Sequence, residues 1–272
     1  MRARILIVRL IATGFALAVL AAPVFAATCG GAYPTFLAQM QKDALAAGVN
    51  QATISMAFAG LSPDQNVLAF DRRQHGMFHS KSFEEYARTR VIPARINRAR
   101  GLMTRYAELL SRIEKQYGVP RELIMAIWTM ETDNGTGDMG KLPVIRTLSS
   151  LAWDCRRTDL FQGELIAALK ILQRGDLPLR DLIGAYAGEI GQTQFLPSSY
   201  IKYGVDFDGD GRVDLRHSVP DVLASTANLL HTNGFKMGQP YGEGSANFEA
   251  MREWNHAVIY RKTIAYYADQ LR

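Results

Sequence analysis

Pro120-Arg121-Glu122-Leu123-Ile124-Met125-Ala126-Ile127-Trp128-Thr129-Met130-Glu131-Thr132-Asp133-Asn134-Gly135 is the stretch on which the reading of this chain turns. Proline suits a first helical turn, and Gly135 marks a chain reversal. Ile124, Ile127, Trp128 and Glu131 lie three, four and seven apart, so a helix over this stretch puts them on one face. Glu131 closes an otherwise apolar stripe. A carboxyl placed there loses hydration, which raises its pKa, and a raised pKa is what a general acid needs near neutral pH. The plain alternative is a solvated glutamate at a helix end, the commoner case for such a pattern taken alone. Asp133, two residues on, points elsewhere along a helix and does not pair with Glu131 for a two-carboxylate glycosidase mechanism. Its expected role is local, at the reversal.

Helical periodicity continues on both sides. Phe36 to Ala47 and Gln51 to Ala59 read as helices stopped by Gly48 and Gly60. Ala99 to Tyr117 reads as one long amphipathic helix, with Leu102, Tyr106, Leu109, Leu110, Ile113 and Tyr117 on one stripe and Gly118 as its stop. Thr158 to Arg174, Pro220 to Asn233 behind a Ser218 cap, and His256 to Leu271 complete the set. A short β-element is expected around Leu142 to Thr147. No alternating strands, repeats or low-complexity linkers are present, so the fold class is mainly α.

The first residues set an address. Arg2, Arg4 and Arg9 precede the apolar run Leu10 to Val19, and Val24 and Ala26 occupy the −3 and −1 positions of a cleavage site. This is the layout of a signal peptide over 1–26, too short to span a bilayer. The chain carries 31 basic and 26 acidic residues, and loss of the leader leaves 28 against 26. No field suited to nucleic acid remains, and periplasmic export is expected. In an oxidising compartment the two cysteines, Cys29 and Cys155, are expected to pair and to pin the start of the mature chain to its middle.

Two further segments carry chemistry. Ala187-Gly188-Glu189-Ile190-Gly191-Gln192-Thr193-Gln194-Phe195-Leu196-Pro197-Ser198-Ser199-Tyr200 combines glycines, which let a ligand approach the backbone, with glutamines able to donate and accept toward sugar amides and hydroxyls. Asp206-Phe207-Asp208-Gly209-Asp210-Gly211-Arg212-Val213-Asp214 has acids at positions 1, 3, 5 and 9 and glycine at 6 of an EF-hand-type calcium loop, with the Arg212 carbonyl at position 7. His217 stands at position 12, where a bidentate glutamate belongs, and Asp221 is the candidate to replace it. His75 and His79 have helical spacing but lack the glutamate of a zinc-protease motif. No nucleophile elbow, P-loop or dinucleotide fingerprint is present, and no organic cofactor is expected.

Taken in order, Glu131-Thr132 through Gly135, Gly188 through Tyr200, the acidic loop, and Trp254-Asn255 with Tyr260 resemble the membrane-bound lytic murein transglycosylase B family over roughly Cys29 to Leu271. The resemblance implies a lysozyme-like helical domain over 118–272, an additional helical region over 27–117 and an EF-hand-like calcium loop. It implies cleavage of peptidoglycan between N-acetylmuramic acid and N-acetylglucosamine, with Glu131 as acid and then base while the muramic C6 hydroxyl closes a 1,6-anhydro ring. Gln194 and Asn255 become sugar contacts, and Phe195, Tyr260 and Tyr186 aromatic walls. The metal set becomes Asp206, Asp208, Asp210, Arg212 and Asp221. The partner is the glycan strand, with cell-wall enzyme complexes possible and the enzyme itself a monomer. Ala257 replaces a serine found in relatives, and Glu189 adds an acid to the glycan motif. The competing readings are a hydrolytic muramidase and a non-catalytic, calcium-stabilised glycan-binding protein.

Overall fold

The computed structural model describes residues 27–73 and 82–272. The expected leader and the pair His75 and His79 lie outside them. Among the described residues the order is α1 (Tyr33–Ala46), α2 (Gln51–Phe58), α3 (Gln65–Arg73), α4 (Phe83–Arg90), α5 (Pro93–Arg105), α6 (Ala107–Tyr117), α7 (Arg121–Thr132), β1 (Leu142–Pro143), α8 (Val144–Trp153), α9 (Thr158–Arg174), β2 (Ile183–Gly184), α10 (Pro197–Tyr203), α11 (Val219–Thr232), α12 (Ala246–Ala250) and α13 (Val258–Leu271). β1 and β2 pair antiparallel, Leu142 opposite Gly184. The mainly α expectation holds.

The helix of the opening stretch is the centre of the molecule. Every residue from Leu123 to Thr129 is buried, and α5, α6, α11 and α13 surround it. The sequence suggested one apolar face. The structure buries all faces, as an all-round apolar helix requires. Its C-terminal end turns out of the helix through Asp133 at φ 50°, and the Asp133 carboxylate pairs with Arg95 of α5 at 2.7 Å, a tertiary contact beyond the local role expected of it.

Two expected elements are corrected. The single helix Ala99 to Tyr117 is two, α5 and α6, parted at Tyr106 with φ −103° and ψ 24°. The stripe survives the break, but α5 packs against α7 and α13 while α6 packs against α7 and α11, and Tyr106 meets the Trp128 ring between them at 6.3 Å. One straight rod would not follow both paths. The β-element stops at Pro143, after which α8 begins. β-Branched Val144, Ile145 and Thr147 sit in a helix whose inner face is almost wholly buried; packing overrides propensity there.

A disulfide joins Cys29 to Cys155, with Cα atoms 5.0 Å apart. Ala27 is held beside it: its N–H donates to Asp43 at 3.0 Å and its carbonyl accepts from Gln162 at 2.5 Å. A single hydrophobic cluster runs from Ala27 to Leu271 across the 117/118 boundary.

Candidate active site

Glu131 sits in the last turn of α7, half-buried at the wall of a cleft of about 310 Å³. The Tyr260 hydroxyl of α13 donates to its Oε1 at 2.5 Å, and the Trp254 indole N–H donates to the same oxygen at 3.1 Å. Among the described residues no hydrogen bond to Oε2 is found. Loss of hydration pushes the Glu131 pKa up to about 7; the two hydrogen bonds pull it down and the carboxylate of Glu189 pushes it further up. A carboxyl half-protonated near neutrality can give and take a proton in one turnover.

The cleft is completed by the segment after β2. Ile190 and Phe195 exchange backbone hydrogen bonds at 2.8 and 3.0 Å, forming a tight loop. Gly191, at φ 81°, lies where a Cβ would stand 2.1 Å from the Leu215 carbonyl oxygen; only glycine tolerates that approach. Glu189, Thr193, Gln194, Phe195, Leu196, Ser199, Leu229, Glu253, Trp254 and Asn255 line the cleft with Glu131.

The site residues expected from sequence divide accordingly. Glu131, Gln194, Phe195 and Asn255 come together in the cleft. The Gln194 amide donates to the Gly191 carbonyl at 2.8 Å, Phe195 stands edge-on to Trp254 at 5.4 Å, and Asn255 Oδ1 accepts the Ala257 N–H at 2.9 Å. Tyr260 presents its hydroxyl to Glu131 rather than a ring to the cleft lining. Its own pKa is raised well above the usual value by burial and by Glu131. Tyr186 does not line this cleft; its hydroxyl bonds to Arg157 at 3.0 Å, beside the buried Asp71. Sequence reasoning missed the Trp254 indole as a donor to Glu131. The Trp254-Asn255 pair was the available signal, but nothing in spacing links residues 131 and 254.

Asp206, Asp208 and Asp210 offer oxygens within 4.8 Å of one another, an all-oxygen donor set suited to a hard cation. Asp206 also accepts the N–H groups of Gly209 and Gly211 at 2.7 and 2.9 Å, which closes the loop around it. The Arg212 guanidinium turns back onto Asp210 at 3.0 Å. Asp214 is engaged by His217, whose Nδ1 lies 2.9 Å away. Asp221 is fully buried under the loop, where its two oxygens accept the Phe207 and Asp214 N–H groups at 2.8 Å each. None of these acids lines the cleft.

A protonatable glutamate closing a buried central helix, set against a Gly/Gln loop in an α-rich body, defines the lysozyme-like class of helical folds. Within that class the chain belongs to the transglycosylase SLT domain family, whose model matches residues 32–245. It is 36% identical over 155 residues to the membrane-bound lytic murein transglycosylase B of Escherichia coli K12; the match covers 56% of this chain and 42% of that protein, less than half of the relative's length. SltB3 from Pseudomonas aeruginosa, solved in complex with NAG-anhNAM-pentapeptide, superposes with a TM-score of 0.82 at 30% identity, over 89% of this chain and 80% of that one. Escherichia coli Slt35, solved in complex with calcium, superposes at 0.77 and 22% identity over 90% and 96% of the two chains, a likeness of fold.

Proposed function

We propose that this protein is an exported lytic transglycosylase that cuts peptidoglycan between N-acetylmuramic acid and N-acetylglucosamine and leaves 1,6-anhydro ends. The observation that carries the reading is Glu131: a cleft-lining carboxyl whose pKa is pushed up to about 7, with one oxygen held by Tyr260 and Trp254. Protonated Glu131 donates from Oε2 to the glycosidic oxygen. As carboxylate it then takes the proton of the muramic C6 hydroxyl, whose oxygen bonds to the anomeric carbon. The nucleophile belongs to the substrate, so intramolecular geometry replaces a second catalytic carboxylate. Gln194 and Asn255 contact the sugars, Phe195 supplies an apolar wall, and Tyr186 acts farther along the strand. The complex of SltB3 with an anhydro-muramyl ligand supports the product assigned here.

Calcium would be held by Asp206, Asp208, Asp210 and the Arg212 carbonyl, over the buried Asp221. It would supply stability to the loop rather than chemistry in the cleft, which these residues do not line. The disulfide supports a periplasmic address after cleavage of the leader near Ala26, with an N-terminal helical region over 27–117 preceding the catalytic region 118–272. The enzyme works as a monomer on glycan strands, and cell-wall enzyme complexes are its candidate partners.

Mass analysis of soluble products from purified murein, with Glu131→Gln alongside, tests the reading. Muropeptides lighter by one water, absent with the variant, are expected. Glu189, in the same cleft, favours one second reading. Hydrated products that disappear in Glu189→Gln would make the enzyme a muramidase. Binding of murein without products from either protein would leave a glycan-binding protein.

A further inference from the structure

Gln192 directly precedes Thr193 and Gln194, which line the cleft, yet its own side chain does not line it and is buried in the protein. It is buried, and four hydrogen bonds run through it. Its Oε1 accepts the Trp128 indole N–H at 2.9 Å, and its backbone carbonyl accepts the Thr132 hydroxyl at 2.5 Å. Its Nε2 donates to the Arg216 carbonyl at 2.9 Å, and its backbone N–H donates to the Leu215 carbonyl at 2.8 Å. Trp128 and Thr132 bracket Glu131, three residues before it and one after. Leu215 and Arg216 belong to the chain that leaves the acidic loop. The place of the carboxamide is reserved by Gly135, where a Cβ would stand 2.2 Å from Gln192 Oε1.

We propose that Gln192 is a positioning residue for Glu131: it clamps the last turn of α7 from both sides and fixes it to the glycan-binding loop and to the exit of the acidic loop. The inference rests on Glu131 being the acid of the reaction. Helix ends fray because their last carbonyls lack partners within the helix. Here the terminal turn carries the reacting group, and misplacement by about an ångström costs on the order of a hundredfold in rate. The Gln192 amide satisfies one donor and one acceptor that are otherwise buried, so its removal frees the end of α7 at Trp128 and the chain beyond the acidic loop at Arg216 together. Water then reaches Glu131 and relieves the desolvation that holds its proton.

Gln192→Met keeps the volume and removes the amide. Trp128→Phe breaks the same clamp from the helix side, should the first variant fold poorly. The readouts are kcat and KM on murein per folded molecule, and the pH titration of the Trp254 indole N–H resonance, which bonds directly to Glu131. Glu131→Gln, which removes that titration, assigns it. Tyr260 of α13, Glu189, and Tyr86 with Arg90 of α4, the other groups around Glu131, remain unchanged in every variant. The expected result is a fall in kcat of tenfold or more with KM changed less than about twofold, and a Trp254 midpoint lower by about half a pH unit or more. A raised KM at unchanged kcat would make Gln192 a substrate contact and overturn the proposal. So would an unchanged midpoint with kcat intact. Wild-type protein that releases nothing from murein would defeat the proposed function, while the Trp254 midpoint would still decide the clamp.

Discussion

Glu131 shows what burying a carboxyl does to a folded chain. Its carboxyl titrates at about 7 against a usual 4.5 because burial disfavours the charge. The native state therefore holds a proton that the unfolded state releases. Stability from this group is present below pH 4.5 and is lost as pH rises to about 7, an effect of roughly 2 kcal/mol after allowance for solvent reaching the cleft. Glu131→Gln has no such group to ionise. Thermal melting of this variant should rise above wild type at pH 8 by more than at pH 4, while cleavage falls about a hundredfold to ten-thousandfold. An equal difference at both pH values would place the Glu131 pKa near its ordinary value. Glu189 pushes the same proton on, so Glu189→Gln should move the alkaline limb of the pH–rate profile to lower pH, measured as kcat/KM against pH. A limb that stays in place would mean that the two carboxyls do not sense each other.

The acidic loop makes its prediction as an element. Three aspartates converge on one point and the loop is closed by its own N–H groups. The Val213 N–H donates to the buried Asp176 at 3.3 Å, and the Val213 carbonyl accepts the Tyr200 hydroxyl. A cation bound only by the native loop stabilises the fold by linkage, about 2.7 kcal/mol at a hundredfold excess over Kd. Millimolar calcium should raise the melting temperature of the apo-protein, and a chelator should reverse it. Asp206→Asn should remove the calcium response. Melting that ignores both additions would show that the loop is closed by hydrogen bonds alone.

On the scale of the whole molecule, the disulfide is a covalent constraint joining residues 126 apart in sequence. It ties the segment before α1 to the turn between α8 and α9. Cys29→Ala with Cys155→Ala should lower stability by about 2–5 kcal/mol, read in denaturant melts. Cleavage at low temperature should persist, because α7, α13 and the loop from Ile190 to Phe195 are held by the continuous core. Loss of cleavage in a variant that remains folded would mean that the N-terminal helices hold the cleft open.

What the sequence determined by itself was local. Helical spacing placed Glu131 at the end of an apolar stripe, and Gly118 marked a helix stop. These rest on interactions within a few residues, which spacing records. Gln194, Phe195 and Asn255 became candidates only through the family resemblance. The tertiary structure decided what distant segments do to one another. It parted the helix at Tyr106 because two sets of neighbours pull it along two paths. It made α8 a helix despite its β-branched residues because burial outweighs propensity. It brought Trp254 and Tyr260 onto one oxygen of a glutamate more than 120 residues earlier, and turned Gln192 inward while Gln194 lines the cleft. The pKa of Glu131 belongs to this second group, since desolvation depends on everything packed around a residue and not on its place in the chain.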